Sequence, residues 1–501
     1  MTCQCAPTDL GKLEPSNVWT LFARVAAVPR ASKKEERIRN EVRAIALEKG
    51  LAVREDSVGN LVIEVPASPG LERTPITVLQ AHLDMVCEKG PDSTHDFDGE
   101  GIRPMVDHDS TSGEQIVRAD RTTLGADNGI GIAMALAAAC SPQVAHGPLE
   151  LLFTIDEETG MTGAKALTPE SLRGRRLLNL DSEEDDVLYI GCAGGCDSFL
   201  SFDFATAEAR TGRACRVNVV GLRGGHSGAN IHENRANAIK LLVRTLARAG
   251  SDSLRLASIQ GGQLRNAIPR QAEAVVIGPP QVLDALRGAA AAVADEAARE
   301  SAEEDLSIRV EPASQGEVTA ALSTEETSCL LATLAALPHG VLGMHARMEG
   351  LVETSTNLAT ISSTPLAGQQ AIRVEIANLS RSSSASRQQE VVGQIAAVSK
   401  LAGAAFRVGN SYPGWEPNVT SPALAICRRV YAGLFGQEPR VTAIHAGLEC
   451  GIIGRCVGGM DMVSLGPKIK GAHTPEEHVY VTSVQKSWKY LLALLAELTR
   501  K

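Results

Sequence analysis

Apolar runs that break into acidic or histidine-bearing segments recur along this chain. Ile76 to Leu79 leads into Ala81-His82-Leu83-Asp84-Met85-Val86, and Leu149 to Ile155 breaks into Asp156-Glu157-Glu158. Leu177-Leu178-Asn179-Leu180 ends in Asp181-Ser182-Glu183-Glu184, and Met460 to Leu465 leads through Gly466-Pro467 to His473. Short apolar runs of this kind predict buried strands. Helical patterns cover Val18 to Val28, Glu35 to Lys49 and Ile130 to Ala139. Strands alternating with helices up to about residue 195 predict a mostly parallel sheet.

From about residue 196 the pattern changes. Val217 to Leu222 and Ala272 to Ile277 read as strands, Ala236 to Ala249 and the alanine-rich Leu283 to Glu300 as helices. A comparable order recurs from about 306 to 403. It comprises strand Leu306 to Val310, helix Glu325 to Leu337, strands near Asn357 to Ile361 and Ala371 to Ile376, and helix Gln388 to Leu401. Two α+β halves side by side would make a large lid. The expected domains are therefore residues 1–195 and 405–501 as two parts of one α/β domain, with 196–404 inserted between them. Ser382-Ser383-Ser384 reads as a loop of the inserted domain.

The strand ends carry the candidate chemistry. Open α/β sheets bind ligands at the carboxyl ends of their strands. Within a strand, i and i+2 share a face, so His82 and Asp84 point the same way. Asp127 lies in Thr123-Leu124-Gly125-Ala126-Asp127-Asn128-Gly129, whose glycines and polar residues precede a helix. His82, Asp127, Glu158, Asp181 and His473 could converge on one sheet edge, with Glu157 and Asp84 close by. Two metal ions sharing a bridging carboxylate need about this complement, and such ions sit roughly 3.5–4 Å apart. Mixed imidazole and carboxylate ligation suits Zn(II), with Mn(II) or Co(II) as alternatives. Taken singly, each of the five reads equally well as a loop residue, and Glu183, Glu184 and Asp185 read as solvated.

The motifs resemble those of the M20 metallopeptidases, most closely their aminoacyl-histidine dipeptidase branch. The resemblance rests on the segments 81–86, 122–131 and 157–161, on Asp181-Ser182-Glu183-Glu184, and on Gly191-Cys192-Ala193-Gly194-Gly195. It continues through Gly221 to Gly228, Arg265 to Arg270, Tyr412-Pro413-Gly414-Trp415 and His445-Ala446-Gly447-Leu448-Glu449-Cys450-Gly451. It implies a mixed, mostly parallel catalytic sheet with an inserted α+β lid of two similar halves. Asp127 would bridge two divalent ions, with His82 and Asp181 on one and Glu158 and His473 on the other. Glu157 would be the general base, Asp84 the partner that orients His82, and His226 the lid histidine that meets the oxyanion. Asn266, Arg381 and Gly447 would hold substrate, Arg381 by its terminal carboxylate. The activity implied is dipeptide hydrolysis, aminoacyl-histidine types included, by a metal-bridging hydroxide. Asp156 and Thr159 depart from the usual pattern without being ligands. Asp156 adds a third adjacent carboxylate that bears on the protonation of Glu157.

Composition narrows the alternatives. The 501 residues carry 49 basic and 59 acidic side chains, a formal net charge of −10, and no basic patch offsets it, so nucleic-acid binding is not expected. No apolar run reaches the roughly 18 residues of a membrane span. The segment Met1 to Pro7 lacks signal-peptide character. Eleven scattered cysteines suit reduced thiols in the cytoplasm. Cys3 with Cys5, or Cys192 with Cys196, lacks a second pair at zinc-site spacing, which favours incidental thiols. A small peptide is the expected partner, and a homodimer stays open. Without the resemblance, His226 in its Gly-rich turn reads as a cap on the following helix. An N-acyl amino-acid deacylase of the same architecture remains an alternative, as do a non-catalytic metal-binding scaffold and, more remotely, a thiol redox protein.

Overall fold

The computed structural model describes residues 9–141, 145–208, 213–301, 303–313, 318 and 320–500. Met1 to Pro7, with Cys3 and Cys5, lies outside the described residues. Two compact units emerge. The first comprises the chain up to Gly191, Pro417–Ala443, and the chain from Leu448 onward; the second comprises Cys192–Glu416 and Ile444–Gly447.

An eight-stranded sheet organises the first unit. Its order is Ala52–Glu55, Leu61–Val65, Leu149–Thr154, Thr77–His82, Arg176–Asn179, Asp461–Ser464, Val187–Cys192 and Arg440–Ile444. Thr77–His82 runs parallel to Leu149–Thr154 and to Arg176–Asn179, which in turn runs parallel to Asp461–Ser464. The outer pairings at Leu61–Val65 and Val187–Cys192 are antiparallel. Thr77–His82 and Leu149–Thr154 are buried at every position, as a strand covered on both faces must be. Helix Ala126–Cys140 is almost wholly buried and packs on helix Ser16–Ala26, which turns Val18, Trp19, Phe22, Val25 and Ala26 inward. That spacing is the one-sided stripe of an amphipathic helix.

The second unit is built on one continuous nine-stranded sheet. Its order is Ser307–Pro312, Arg213–Val220, Ala272–Gly278, Arg255–Gly261, Val352–Pro365, Ala371–Ser382, Gly194–Ala205 and Ala405–Tyr412, with Gly340–Met344 paired to Val352–Pro365. Alternation sorts its side chains. Val276 joins the large core beneath helices Ala238–Arg248, Pro280–Ser301, Thr324–Ala336 and Ala385–Leu401, whereas Val275 and Ile277 join a small cluster with Val318 and Ala321. Helix boundaries follow capping chemistry. Asn237 accepts the amides of Ile239 and Lys240, and Ser323 with Glu326 forms a capping box.

Two expectations change. The strand at Ser307–Pro312, read as opening the second half of the insert, completes the first by pairing antiparallel with Arg213–Val220. The long helix before it returns the chain to that edge. Ser382 is the buried last residue of a strand rather than a loop residue, and Ser384 is the N-cap of helix Ala385–Leu401.

Candidate active site

Four parallel strands end at one edge of the first sheet, and each delivers site residues there. Thr77–His82 ends on His82. Leu149–Thr154 turns into Asp156-Glu157-Glu158, Arg176–Asn179 is followed by Asp181, and Asp461–Ser464 leads towards His473. Asp127 arrives differently, in the first turn of Ala126–Cys140, where its backbone is still non-helical.

Asp127 divides its oxygens between two imidazoles. Its Oδ1 lies 3.0 Å from Nε2 of His82, which is also 3.2 Å from Asp181. Its Oδ2 lies 3.2 Å from Nε2 of His473, which is 3.1 Å from Glu158. Ligand atoms of His82, Asp127 and Glu158 all lie within 4.8 Å of one another. Burial opposes a charge on His82, yet Asp181 and Asp127 outweigh it and raise its pKa. Hydrogen bonds to Asp127 and Glu158 push His473 up to about 11. A group of side chains that pulls two imidazoles toward the charged state is a site for positive charge. Oε1 of Glu158 is buried with no hydrogen-bond partner among the described residues. The donor set, two imidazole nitrogens and three carboxylates, therefore fits divalent metal ions.

The loops are held by other carboxylates. Asp84 accepts the amides of Glu157 at 3.0 Å and Glu158 at 3.1 Å and the hydroxyl of Ser32 at 2.7 Å. Its Oδ1 sits 3.4 Å from Nδ1 of His82. Burial would raise its pKa, but His82 and Ser32 hold it at about 2. Glu477 accepts four successive amides, those of Leu124, Gly125, Ala126 and Asp127, at 2.7–3.3 Å. Glu449 is fully buried beneath the site, hydrogen-bonded by Gln80 at 2.7 Å and Thr154 at 2.6 Å, and burial pushes it up to about 8. Sequence reasoning missed Glu449 and Glu477. The only available signal for Glu449 was its place in the 445–451 motif, and Glu477 had none.

Glu157 is half-buried and makes no side-chain hydrogen bond among the described residues; burial, followed by Asp181 and Glu158, raises its pKa well above the carboxylate range. Glu183, expected to be solvated, is half-buried, and burial lifts it to about 8. Glu184 and Asp185 meet Arg440 and Lys486. Asp156 is buried with φ 53° and takes the hydroxyls of Thr159 and Thr162, which fixes the turn carrying Glu157 and Glu158.

The second unit carries its own polar cluster. His226 pairs with Ala267 in a two-stranded ladder, and its Nδ1 accepts the amides of Gly228 and Ala229 at 3.3 and 3.0 Å. The ring thus holds its own turn and caps no helix, the following helix Ala238–Arg248 being capped by Asn237, and these bonds place the hydrogen of the neutral ring on Nε2. Burial and Arg381 lower His226 to about 4. Arg381 is 4% exposed; its NH1 donates to the hydroxyl of Tyr412 at 3.0 Å and its Nε to that of Ser227 at 3.4 Å. Among the described residues no carboxylate lies within ion-pair distance of it. Its NH2 stands 3.4 Å from Nε2 of His226. Two donors there face each other without an acceptor between them. Asn266 is exposed and its carbonyl takes the amide of Ser227; Gly447 lies in the short return of this unit, two residues past buried His445.

A parallel-centred α/β sheet whose strand ends gather imidazoles and carboxylates defines a metal-binding protein of the hydrolase type. The chain belongs to peptidase family M20/M25/M40, whose model matches residues 78–497. It is 40% identical over 497 residues to the cytosol non-specific dipeptidase of Escherichia coli (strain K12), covering 99% of this chain and 100% of that one. The crystal structure of aminoacylhistidine dipeptidase from Vibrio alginolyticus superposes with a TM-score of 0.87 at 40% identity, covering 98% of each chain. Aminopeptidase PepT from Bacillus cereus shares the fold at 17% identity and a TM-score of 0.59, over 98% of this chain and 100% of that one. Among the described residues no helix is long and apolar enough to cross a membrane.

Two outcomes are expected from this geometry. Glu477→Ala leaves four backbone donors unmet, so stability should fall by roughly 2–4 kcal/mol and bound metal should fall with it. Urea denaturation and elemental analysis measure both. Acid should also weaken the second unit. His226 at about 4, His445 at about 3 and His339 at about 4 are all held neutral mainly by burial. Their contribution is complete above the unfolded value near 6.5 and is lost as pH falls towards the folded values, on the order of 1–2 kcal/mol for each at pH 5. Urea midpoints at pH 7 and pH 5, for wild type and His339→Gln, test this; equal midpoints at the two pH values would count against it.

Proposed function

We propose that the chain is a metal-dependent dipeptidase whose substrates include aminoacyl-histidine dipeptides. The supporting observation is the pair of imidazole–carboxylate trios that share Asp127. On this reading His82 and Asp181 hold one divalent ion, Glu158 and His473 the other, and Asp127 both, with zinc the first choice on donor type. Bound ions of this kind bring the pKa of water toward neutrality and polarise a carbonyl oxygen.

The chain's own groups then have separable tasks. Glu157, partly exposed and with a raised pKa, takes a proton from the attacking water as its oxygen bonds to the peptide carbon. It returns that proton to the amine nitrogen as the carbon–nitrogen bond breaks. Asp84 keeps His82 oriented and Glu157 in place through their shared hydrogen bonds. For the second unit the same reading gives His226 the role of Nε2–H donor to the developing oxyanion. Arg381, with no acidic partner among the described residues, takes the substrate carboxylate through paired N–H donors. Asn266 and Gly447 hold the rest of the substrate. A cytosolic location accords with the Escherichia coli relative.

Purified protein should cleave glycyl-histidine or β-alanyl-histidine, lose that activity on chelation, and regain it with added zinc or manganese. Cleavage of an N-acetyl amino acid in its place would redirect the reading to a deacylase. Glu157→Ala should lower kcat by at least about 10²–10⁴ while metal content stays near wild type; near-normal turnover would remove its assignment as base. Asp127→Ala should lose metal together with activity, and unchanged metal stoichiometry would exclude it as the shared ligand.

A further inference from the structure

Ser355, Arg381, Gly195 and Tyr412 stand directly opposite one another on four neighbouring strands of the nine-stranded sheet. Directly opposed residues of antiparallel strands place their side chains on one face. Gly195 leaves a gap in that row. A Cβ there would lie 2.5–2.6 Å from Cε1, Cζ and Oη of Tyr412. The Tyr412 ring fills the space a side chain at 195 would need, and its hydroxyl thereby reaches NH1 of Arg381 at 3.0 Å. On the other flank, Ser355 is engaged at 2.7 Å by Nε2 of His445.

The partners of Arg381 have a common property. The hydroxyls of Tyr412 and Ser227 are neutral acceptors, which orient a guanidinium without cancelling its charge. A carboxylate in either place would do both. We propose that Tyr412 is a positioning residue for Arg381: lying across the gap at Gly195, it fixes the guanidinium so that its remaining N–H donors face the carboxylate of a bound ligand. The proposal rests on the reading of Arg381 as the carboxylate-holding residue.

Tyr412→Phe keeps the ring over Gly195 and removes only the acceptor. The probes are a glycyl-histidine analogue with a reduced, uncleavable CH2–NH link and the C-terminal carboxamide of the same compound, titrated calorimetrically. Wild type is expected to prefer the free acid. Tyr412→Phe should cut that preference by roughly tenfold and leave carboxamide affinity within about twofold. Gly195→Ala, which displaces the ring from the neighbouring strand, should show the same selective loss. A wild type indifferent to the carboxylate would overturn the Arg381 reading and this proposal with it. A discriminating wild type matched by an equally discriminating Tyr412→Phe would overturn the positioning role alone. Equal loss for acid and carboxamide would show general damage to the fold and would also overturn it.

Discussion

The site in the first unit depends on a carboxylate that holds no ligand position. Glu477 accepts four consecutive amides from the turn that presents Asp127. Those amides precede and open helix Ala126–Cys140, where a helix has donors without intrahelical partners. Asp84 does the same for the amides of Glu157 and Glu158. In both places an anion is fixed by backbone donors, and the turn so fixed carries another anion. That arrangement lets acidic side chains crowd together while the main chain bears part of the electrostatic cost. It also couples the two imidazole–carboxylate trios to the C-terminal stretch, because Glu477 follows His473 by one short turn.

Much of this was legible in the sequence, for a physical reason. A strand covered on both faces is an uninterrupted apolar run, and the residue that breaks it marks the strand end. That pattern made convergence of His82, Glu158 and Asp181 on one edge an expectation, the family resemblance supplied their roles, and helix positions followed from periodicity. Supporting residues left no such mark. Glu449 looks like an ordinary helix-opening acid until Gln80 and Thr154 close on it. Glu477 looks like one of two adjacent surface glutamates. Glu183 sits in a run with the composition of a solvated loop, and only the folded chain shows it half-buried. The strand at Ser307–Pro312 was predicted correctly as a strand and assigned to the wrong half, since edge pairing is set by three-dimensional register.

The second unit handles charge in the opposite way. Its cluster contains one buried guanidinium, and the histidines around it are neutral. His226 has its hydrogen placed by two amides, and His445 is bonded to a serine. The first unit gathers negative charge, while in this cluster the hydrogen-bond partners of the buried guanidinium are neutral and the carboxylate that feels it, Asp197, is paired with Arg265.

The order of strands has a consequence for how the protein is made. Asp461–Ser464 lies inside the first sheet, between Arg176–Asn179 and Val187–Cys192. During synthesis those two neighbours emerge early, and the strand that belongs between them comes only after the whole second unit. Until then the sheet has an open slot at its centre, with unpaired strand edges on either side. Such edges are templates for pairing with foreign strands. The inserted unit, continuous but for Ile444–Gly447, can fold while the slot waits. Yield from translation should thus be governed by how long that slot stays open, and slowing elongation after residue 192 would lengthen the exposure.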